Sequence, residues 1–400
     1  MTNEVKNVPQ LRFPNFDGEW EEKQLGDVTK TNQGLQIAIS DRKTKYEKGL
    51  YFYITNEFLR PNSQTKYYIE NPPESVVAEK SDILMTRTGN TGKVITNVEG
   101  AFHNNFFKIK YNKSIIDRLF LFELLKSPKI NNKFLSLAGT STIPDLNHSD
   151  FYSVYISFPT ISEQQKISTF FSKLDRQIEL EEQKLEKLEE QKKGYMQKIF
   201  SQEFRFKDEN GNDYPEWEDK LISDIGKVIT GNTPSKKEND YWNSNQYIWV
   251  TPTDISNKKN IYTSGYQLSQ KGFSKARQLP KNTLLITCIA SIGKNAILRI
   301  EGSCNQQINA VIPNDNYDVD YLYYAFEDVS KLMKSIAGKT ATQIVNKAVF
   351  EKLLLNVPIY EEQQKISGFL NKVDILIDKQ ARKIDELKLR KQGFLQKMFV

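Results

Sequence analysis

Few groups of side chains in this 400-residue chain have the makings of a reaction centre. Its two histidines, His103 and His148, lie 45 positions apart, so neither a histidine-based triad nor a zinc site is expected. Cys288 and Cys304 are too few for a disulfide framework and fit a reducing cytoplasm. Asn71-Pro72-Pro73-Glu74 carries three residues of a motif whose fourth, an aromatic, stacks on a flipped base; glutamate cannot stack. Gly89-Asn90-Thr91-Gly92-Lys93 ends like a phosphate loop. Arg87 stands where the first glycine belongs, however, and Val94 follows the lysine in place of Ser or Thr. Glu218-Asp219-Lys220 has the form of a nuclease Glu-x-Lys pair, which is an ordinary tripeptide in a chain with 26% charged residues. No glycine-rich loop after a strand offers a seat for S-adenosylmethionine. The expectation is a chain without catalysis and without a bound cofactor or metal.

Charge says less. The formal net charge is +6, and the segment 160–200 is neutral while 359–400 carries +3. An anionic partner is permitted but not demanded. The opening residues MTNEVKNVPQ are polar, and the longest strongly apolar run, Leu284 to Ile292, is too short to span a bilayer, so a soluble, cytoplasmic protein without membrane contact is expected.

The elements that position everything else come in duplicate. Pro159–Phe200 and Pro358–Phe399 align without gaps at an offset of 199, with 18 of 42 positions identical. Steps of four and three from Ile167 meet Phe171, Leu174, Ile178, Glu181, Leu185, Leu188, Lys192, Tyr195 and Ile199. The same steps from Ile366 meet Leu370, Val373, Ile377, Gln380, Ile384, Leu387, Lys391, Phe394 and Met398. This is a coiled-coil period, and its two polar interruptions fall at the same steps in both copies, as expected of two helices that pair with each other. Each would be about 60 Å long at roughly 1.5 Å per residue. Pro159 and Pro358 suit helix starts, and Thr160 with Glu163 has the spacing of a capping box.

The duplication reaches into the preceding segments. Trp20 and Trp217, Gly34 and Gly231, Thr86 and Thr287, Gly92 and Gly293, Lys93 and Lys294, and Asn104 and Asn305 correspond. Short runs such as YFYIT, DILMT, NNFFKIKY, YSVYISF and QYIWVT predict strands, with helix over 117–137 and 319–336. The expected architecture is α+β: two similar domains, 1–158 and 204–357, separated by two long antiparallel helices, 159–203 and 358–400, forming a coiled coil with a pseudo-two-fold axis.

In this arrangement the chain resembles the specificity subunit of type I restriction–modification systems over nearly its whole length. The resemblance rests on Glu163-Gln164-Gln165-Lys166-Ile167 and Glu362-Gln363-Gln364-Lys365-Ile366, each shortly after a proline. It rests also on the aromatic-Pro…Trp openings, on GNTPS at 231–235, on YIWVTPTDI at 247–255 and on NQQINAVIP at 305–313. The resemblance implies that each globular domain is a target recognition domain for one half of a split double-stranded DNA site. It implies that the helices space the halves and dock two methylase subunits, that two motor-nuclease subunits join for restriction, and that S-adenosylmethionine, ATP and Mg serve those partners.

Reading bases takes amide and basic groups at groove edges, with lysine on phosphates. The candidate readers are Arg87, Asn90, Lys93, His103, Asn104 and Asn105 in the first domain, and Lys236, Lys237, Lys294, Asn305 and Gln306 in the second. For each, the plainer alternative is a solvated surface residue or a turn former. Three rivals stand beside this reading: a structural coiled-coil scaffold, a methylase, and a stand-alone sequence-specific DNA-binding protein.

Overall fold

Both duplicated segments are helices, Ile161–Phe200 and Tyr360–Lys397. They are rich in Glu, Lys, Gln and Leu and contain no proline, which favours long uninterrupted helix. The computed structural model describes residues 7–60, 63–139, 143–242, 244–256, 258–338 and 344–400. These divide into two compact units: Met1–Gln183 with Ala381–Val400, and Lys184–Gln380. Each long helix contributes to both units.

In the first unit the segments 161–183 and 381–397 run antiparallel. Phe170 meets Phe394 edge-on at 5.0 Å, Lys391 reaches both oxygens of Asp175 at 2.7 Å, and Lys383 and Lys388 pair with Glu181 and Glu182. In the second unit Tyr195 meets Phe369 at 5.1 Å and Lys192 pairs with Asp374 at 2.7 Å. The aromatic contact and the Lys–Asp pair are the same in the two copies, whereas, among the described residues, the Lys383 and Lys388 pairs belong to the first alone. Of the polar steps expected within the seam, Lys192 and Lys391 are thus each matched by an acid on the opposing helix, Glu181 is paired with Lys383, and Gln380 is buried. Ile167, Phe171, Ile178, Ile366, Leu370, Val373, Ile384 and Leu387 are buried, and Leu174, Leu185, Leu188 and Ile377 are half-buried.

Around its helix pair the first unit builds two four-stranded sheets. One runs in the order Thr29–Gln33, Phe106–Tyr111, Ile83–Thr86, Val94–Ile95, and the other in the order Tyr67–Ile69, Tyr51–Ile54, Gly100–Phe102, Val77–Ala78. A ribbon of Glu21–Gln24 with Tyr155–Phe158 closes the unit. The second unit repeats the plan with a five-stranded sheet, Gly226–Thr230, Ile308–Pro313, Thr283–Thr287, Asn295–Leu298, Asn260–Ile261. A three-stranded sheet, Tyr266–Leu268, Tyr247–Val250, Gly302–Cys304, and a ribbon of Glu218–Leu221 with Leu354–Val357 complete it.

Helix ends complete the cores. Ile167, Phe171, Leu395, Met398 and Phe399 join Trp20, Phe120 and Leu124 in the first unit. Met196, Ile199, Ile366 and Leu370 join Trp217, Tyr321 and Ala325 in the second. Each such side chain contributes about 1.5–3 kcal/mol by leaving water. Trp20 packs edge-on against Phe399, and Trp217 does the same against Phe200, so the matched tryptophans hold matched helix ends.

The charged start of each helix does the anchoring. Glu163, 1% exposed, takes both its oxygens to Arg12 at 2.8 and 2.7 Å, and Arg12 also donates to the carbonyls of Asp17 and Gly18. Glu362 does the same with Arg205, at 3.3 and 2.7 Å, and accepts Trp217 Nε1–H at 3.1 Å. The hydrogen bond to the glutamate raises each guanidinium above its ordinary pKa, although burial pulls the other way. The next residue is equally committed. Gln164 accepts the Asp117 N–H and donates to the carbonyls of Ile115 and Pro159, and Gln363 does this with Asp318, Asn316 and Pro358. Asp117 and Asp318 are in turn the N-caps of the helices Arg118–Lys126 and Val319–Ala337.

Two expectations change. Glu163 faces Arg12, so it does not form the capping box expected with Thr160. The helix expected over 117–137 is two, Arg118–Lys126 and Pro128–Leu137, because Pro128 forces Ser127 into extended backbone (φ −60°, ψ 142°) and starts a new helix.

Removing one member of a buried ion pair leaves the other charge without compensation and costs about 3–5 kcal/mol. Glu163→Ala and Glu362→Ala are each expected to lower the urea midpoint of the full chain by a corresponding amount. A midpoint unchanged by either would remove the anchoring role.

Candidate nucleic-acid interface

In each unit three loops meet at the ends of the sheet that contains Ile83–Thr86 or Thr283–Thr287. The first is a hairpin. Thr86 Oγ1 donates to the Asn90 carbonyl and accepts the Lys93 N–H at 2.9 Å, while Gly92 N–H bonds the Thr86 carbonyl at 2.8 Å. Thr287 binds the Ser291 carbonyl and Lys294 N–H in the same way, with Gly293 N–H on its carbonyl at 2.9 Å. Gly92 and Gly293 both have φ +84°, and a Cβ on Gly293 would meet Ser330 at 2.9 Å. The stretch that looked like a phosphate loop is therefore a closed hairpin in which the Gly92 and Lys93 amides are already bonded within the turn.

The second loop is the turn after Phe102 and Cys304, and here the correspondence expected between the copies shifts by one residue. Thr86 pairs with Phe106 and Thr287 with Ile308. His103 N–H bonds Ile54 O, and Asn305 N–H bonds Val250 O, both at 2.9 Å. His103 Nδ1 accepts the Asn105 N–H at 3.1 Å where Asn305 Oδ1 accepts the Gln307 N–H at 3.0 Å. His103 is thus the counterpart of Asn305, and Asn104 that of Gln306. Matching asparagine to asparagine misled because two adjacent polar residues occupy the turn in either copy.

The third loop carries Gly34 and Gly231. A Cβ on Gly34 would sit 2.1 Å from the Phe102 carbonyl oxygen, and one on Gly231 2.1 Å from that of Asn305, so only glycine lets this loop lie on the turn. The side chains bridge as well. Asn104 Nδ2 donates to Gln36 Oε1 at 3.2 Å, and Thr233 Oγ1 donates to Gln306 Oε1 at 2.6 Å.

The candidate readers differ in what they have left to offer. Asn90, Lys93, Lys236, Lys237, Lys294 and Gln306 are exposed; Lys93 Nζ also holds the Leu59 carbonyl at 2.9 Å, and Lys236 lies 5.9 Å from the Tyr266 ring. Arg87 is engaged: Nη2 pairs with Asp145 at 2.8 Å and the guanidinium rests over Phe107. Asn305 is 7% exposed, and its amide donates to Gln307 Oε1 at 3.0 Å, which makes it a brace of the turn. Burial, aided by the nearby Arg42 charge, lowers the pKa of His103, so at neutral pH it is uncharged. With Nδ1 accepting a backbone N–H, its proton lies on Nε2. Asn104 and Asn105 are half-buried, and Asn105 O accepts the Arg87 N–H at 2.7 Å.

Four residues at these loops were not singled out from the sequence: Gln36, Arg42, Thr233 and Arg277. Arg42 lies 5.3 Å from the Tyr53 ring and 5.4 Å from the Tyr67 ring and holds the Ile37 carbonyl. Arg277 donates to the Thr230 carbonyl. Basic residues interleaved with aromatics, as in Arg42-Lys43-Thr44-Lys45-Tyr46, were the available signal. Among the described residues no group of three or more His, Cys, Asp or Glu is placed to hold a metal, and no helix is long and apolar enough to cross a membrane.

Comparison with known proteins bears on this geometry. The MjaIX type I restriction enzyme specificity subunit of Methanocaldococcus jannaschii is 34% identical over 190 residues, covering 46% of this chain and 44% of that one. The HindI specificity subunit of Haemophilus influenzae is 31% identical over 165 residues, covering 39% of this chain and 36% of its own. Both matches thus span less than half of either relative. The MjaVIII specificity subunit of M. jannaschii is 24% identical, covering 98% of this chain and 93% of that protein. In fold, a type I restriction–modification S subunit from M. genitalium superposes with a TM-score of 0.59 at 16% identity, over 98% of this chain and 99% of that one. A chain solved in work on assembly and conformational transition of the type I system gives 0.57 at 18% identity, over 94% and 96%. The type I restriction modification DNA specificity domain matches twice, at residues 17–190 and 214–389, each match holding one set of three loops and most of one long helix. With both of its repeats present and most of its length matched, this chain belongs to the type I restriction–modification DNA specificity family.

Proposed function

We propose that this chain is the DNA-reading subunit of a type I restriction–modification complex, each compact unit reading one half of a bipartite duplex target. One observation carries the reading: the same three-loop platform occurs in both units, with a common backbone and different head groups. His103 answers to Asn305, Asn104 to Gln306, and Gln36 to Thr233. A scaffold has no need to vary these positions, whereas a reader of two different half-sites does. The helices set the spacing of the halves and dock two methylase subunits, and two motor-nuclease subunits join for restriction. S-adenosylmethionine, ATP and Mg are used by those partners in the cytoplasm. This chain contributes no catalytic group: Arg87, Glu163 and Glu362 are spent in ion pairs, and the burial that surrounds Cys288 and Cys304 raises their thiols to about 11 and about 12, far from reactive thiolates.

Exchanging residues 211–357 for those of a relative is expected to change one half of the target and leave the other intact, read by mapping methylated adenines in a host carrying the hybrid. A change in both halves would contradict one unit per half. A net charge of +6 over 400 residues is thin. The isolated chain is therefore expected to bind duplex DNA weakly and with little specificity, the specific complex forming only with methylase subunits; tight, salt-resistant binding of one site by the chain alone would contradict this. Lys236→Ala and Lys237→Ala, at exposed lysines, are expected to weaken binding by the complex equally across sequences. Each should lower the salt slope by about 0.9; a change in preferred sequence would instead make that lysine a base reader.

A further inference from the structure

The residue in question is Gln306, and the inference rests on the DNA-reading function proposed above. A free glutamine amide offers one acceptor and one pair of donors, which is why it can pair bidentately with adenine through N7 and N6–H. Gln306 is not free in that sense. Its Oε1 accepts the Thr233 hydroxyl at 2.6 Å, while its Nε2 has no protein partner among the described residues and the side chain is exposed.

Both sides of this contact are held rigidly. Asn232, next to Thr233, donates its amide to the Lys275 carbonyl at 2.9 Å and accepts the Arg277 N–H at 2.7 Å. Its own carbonyl accepts Trp249 Nε1–H at 2.9 Å. On the other side Asn305 and Gln307 lock the turn through two mutual hydrogen bonds of 3.0 Å. With Oε1 turned to the Thr233 hydroxyl on a fixed platform, the NH2 is the end of the amide that stands free, while Oε1 keeps one lone pair.

We infer that Gln306 is a specificity-determining residue of the second unit that reads guanine through its amide NH2. In the major groove guanine presents two adjacent acceptors, N7 and O6, whereas adenine places its N6–H donor beside N7. An amide that presents its NH2 finds two acceptors on the first, whereas on the second it finds one acceptor with a competing donor beside it. The first unit uses the same pair of positions with the polarity reversed: Asn104 donates to Gln36, and Asn104 Oδ1 is buried without a partner. The pair is thus a variable element on a shared backbone.

The test uses the complete methylase complex on a duplex library in which every base pair of the target is randomised in turn, read by sequencing of methylated products. The wild-type complex should require guanine at one pair in the half read by residues 204–357. Gln306→Ala and Thr233→Val should relax that pair by about tenfold or more and leave the others unchanged, and Thr233→Ser should keep the discrimination. Gln306→Glu, which only accepts, should move the preference at that pair toward cytosine. Unchanged discrimination in Gln306→Ala, relaxation spread over every pair, or a pair that proves to be adenine would each overturn the role of Gln306 while leaving the DNA-reading function standing. A complex with no sequence preference at all would overturn that function itself.

Discussion

The buried carboxylate at the start of each long helix is the constraint on which the remaining structure depends. Glu163 and Glu362 are almost fully removed from water, and such a charge is tolerated only when paired and hydrogen-bonded. Arg12 and Arg205 supply the pairing, and with it the loops that carry Trp20 and Trp217 are drawn onto the helix. The neighbouring glutamine then orders the N-cap aspartate of the next core helix. This pattern of charge and amide thereby fixes the start of each long helix against the core of its own unit. The same pattern occurs in both units because the same residues recur.

The helix pairs add a second layer of specification. Lys391 illustrates it in the first unit: burial favours its neutral form, but Glu123 and Asp175 outweigh that and hold it charged. In the second unit Lys192 pairs with Asp374, and Tyr324 stands where Glu123 does, donating to that same aspartate. A polar step in an apolar seam costs some stability and excludes neighbouring registers, since a slip by one turn would take each lysine from its aspartate.

Against this repeated framework the three-loop platforms diverge. Glycine at 34 and 231, threonine at 86 and 287, and glycine at 92 and 293 are demanded by backbone geometry, and they are alike in the two copies. The side chains at 36 and 233 and at 104 and 306 meet no such demand beyond filling a turn, and they differ; those at 103 and 305 differ too, though each must accept the amide two residues on. Conserving the backbone while varying the head groups is how one fold can present two different patterns of donors and acceptors.

Much of this was legible in the sequence. The period of the apolar residues, the duplication, the strands at Tyr51–Ile54, Ile83–Thr86 and Tyr247–Val250, and the family follow from order along the chain alone. These are local or repetitive properties, and a periodic pattern needs no knowledge of distant partners. The fate of individual polar groups was not legible. Arg87 and Asn305 have the right chemistry for base reading, yet one is spent on Asp145, 58 positions away, and the other on its own turn. Gln306 acquired its direction from Thr233, 73 positions away, and the EQQ triplet acquired its meaning from Arg12 and Asp117. Sequence by itself determined the two-fold plan, the helices and the class of chemistry; only the tertiary structure decided which donors and acceptors remain unspent, because a hydrogen bond is allocated between groups that folding alone brings within 3 Å or so.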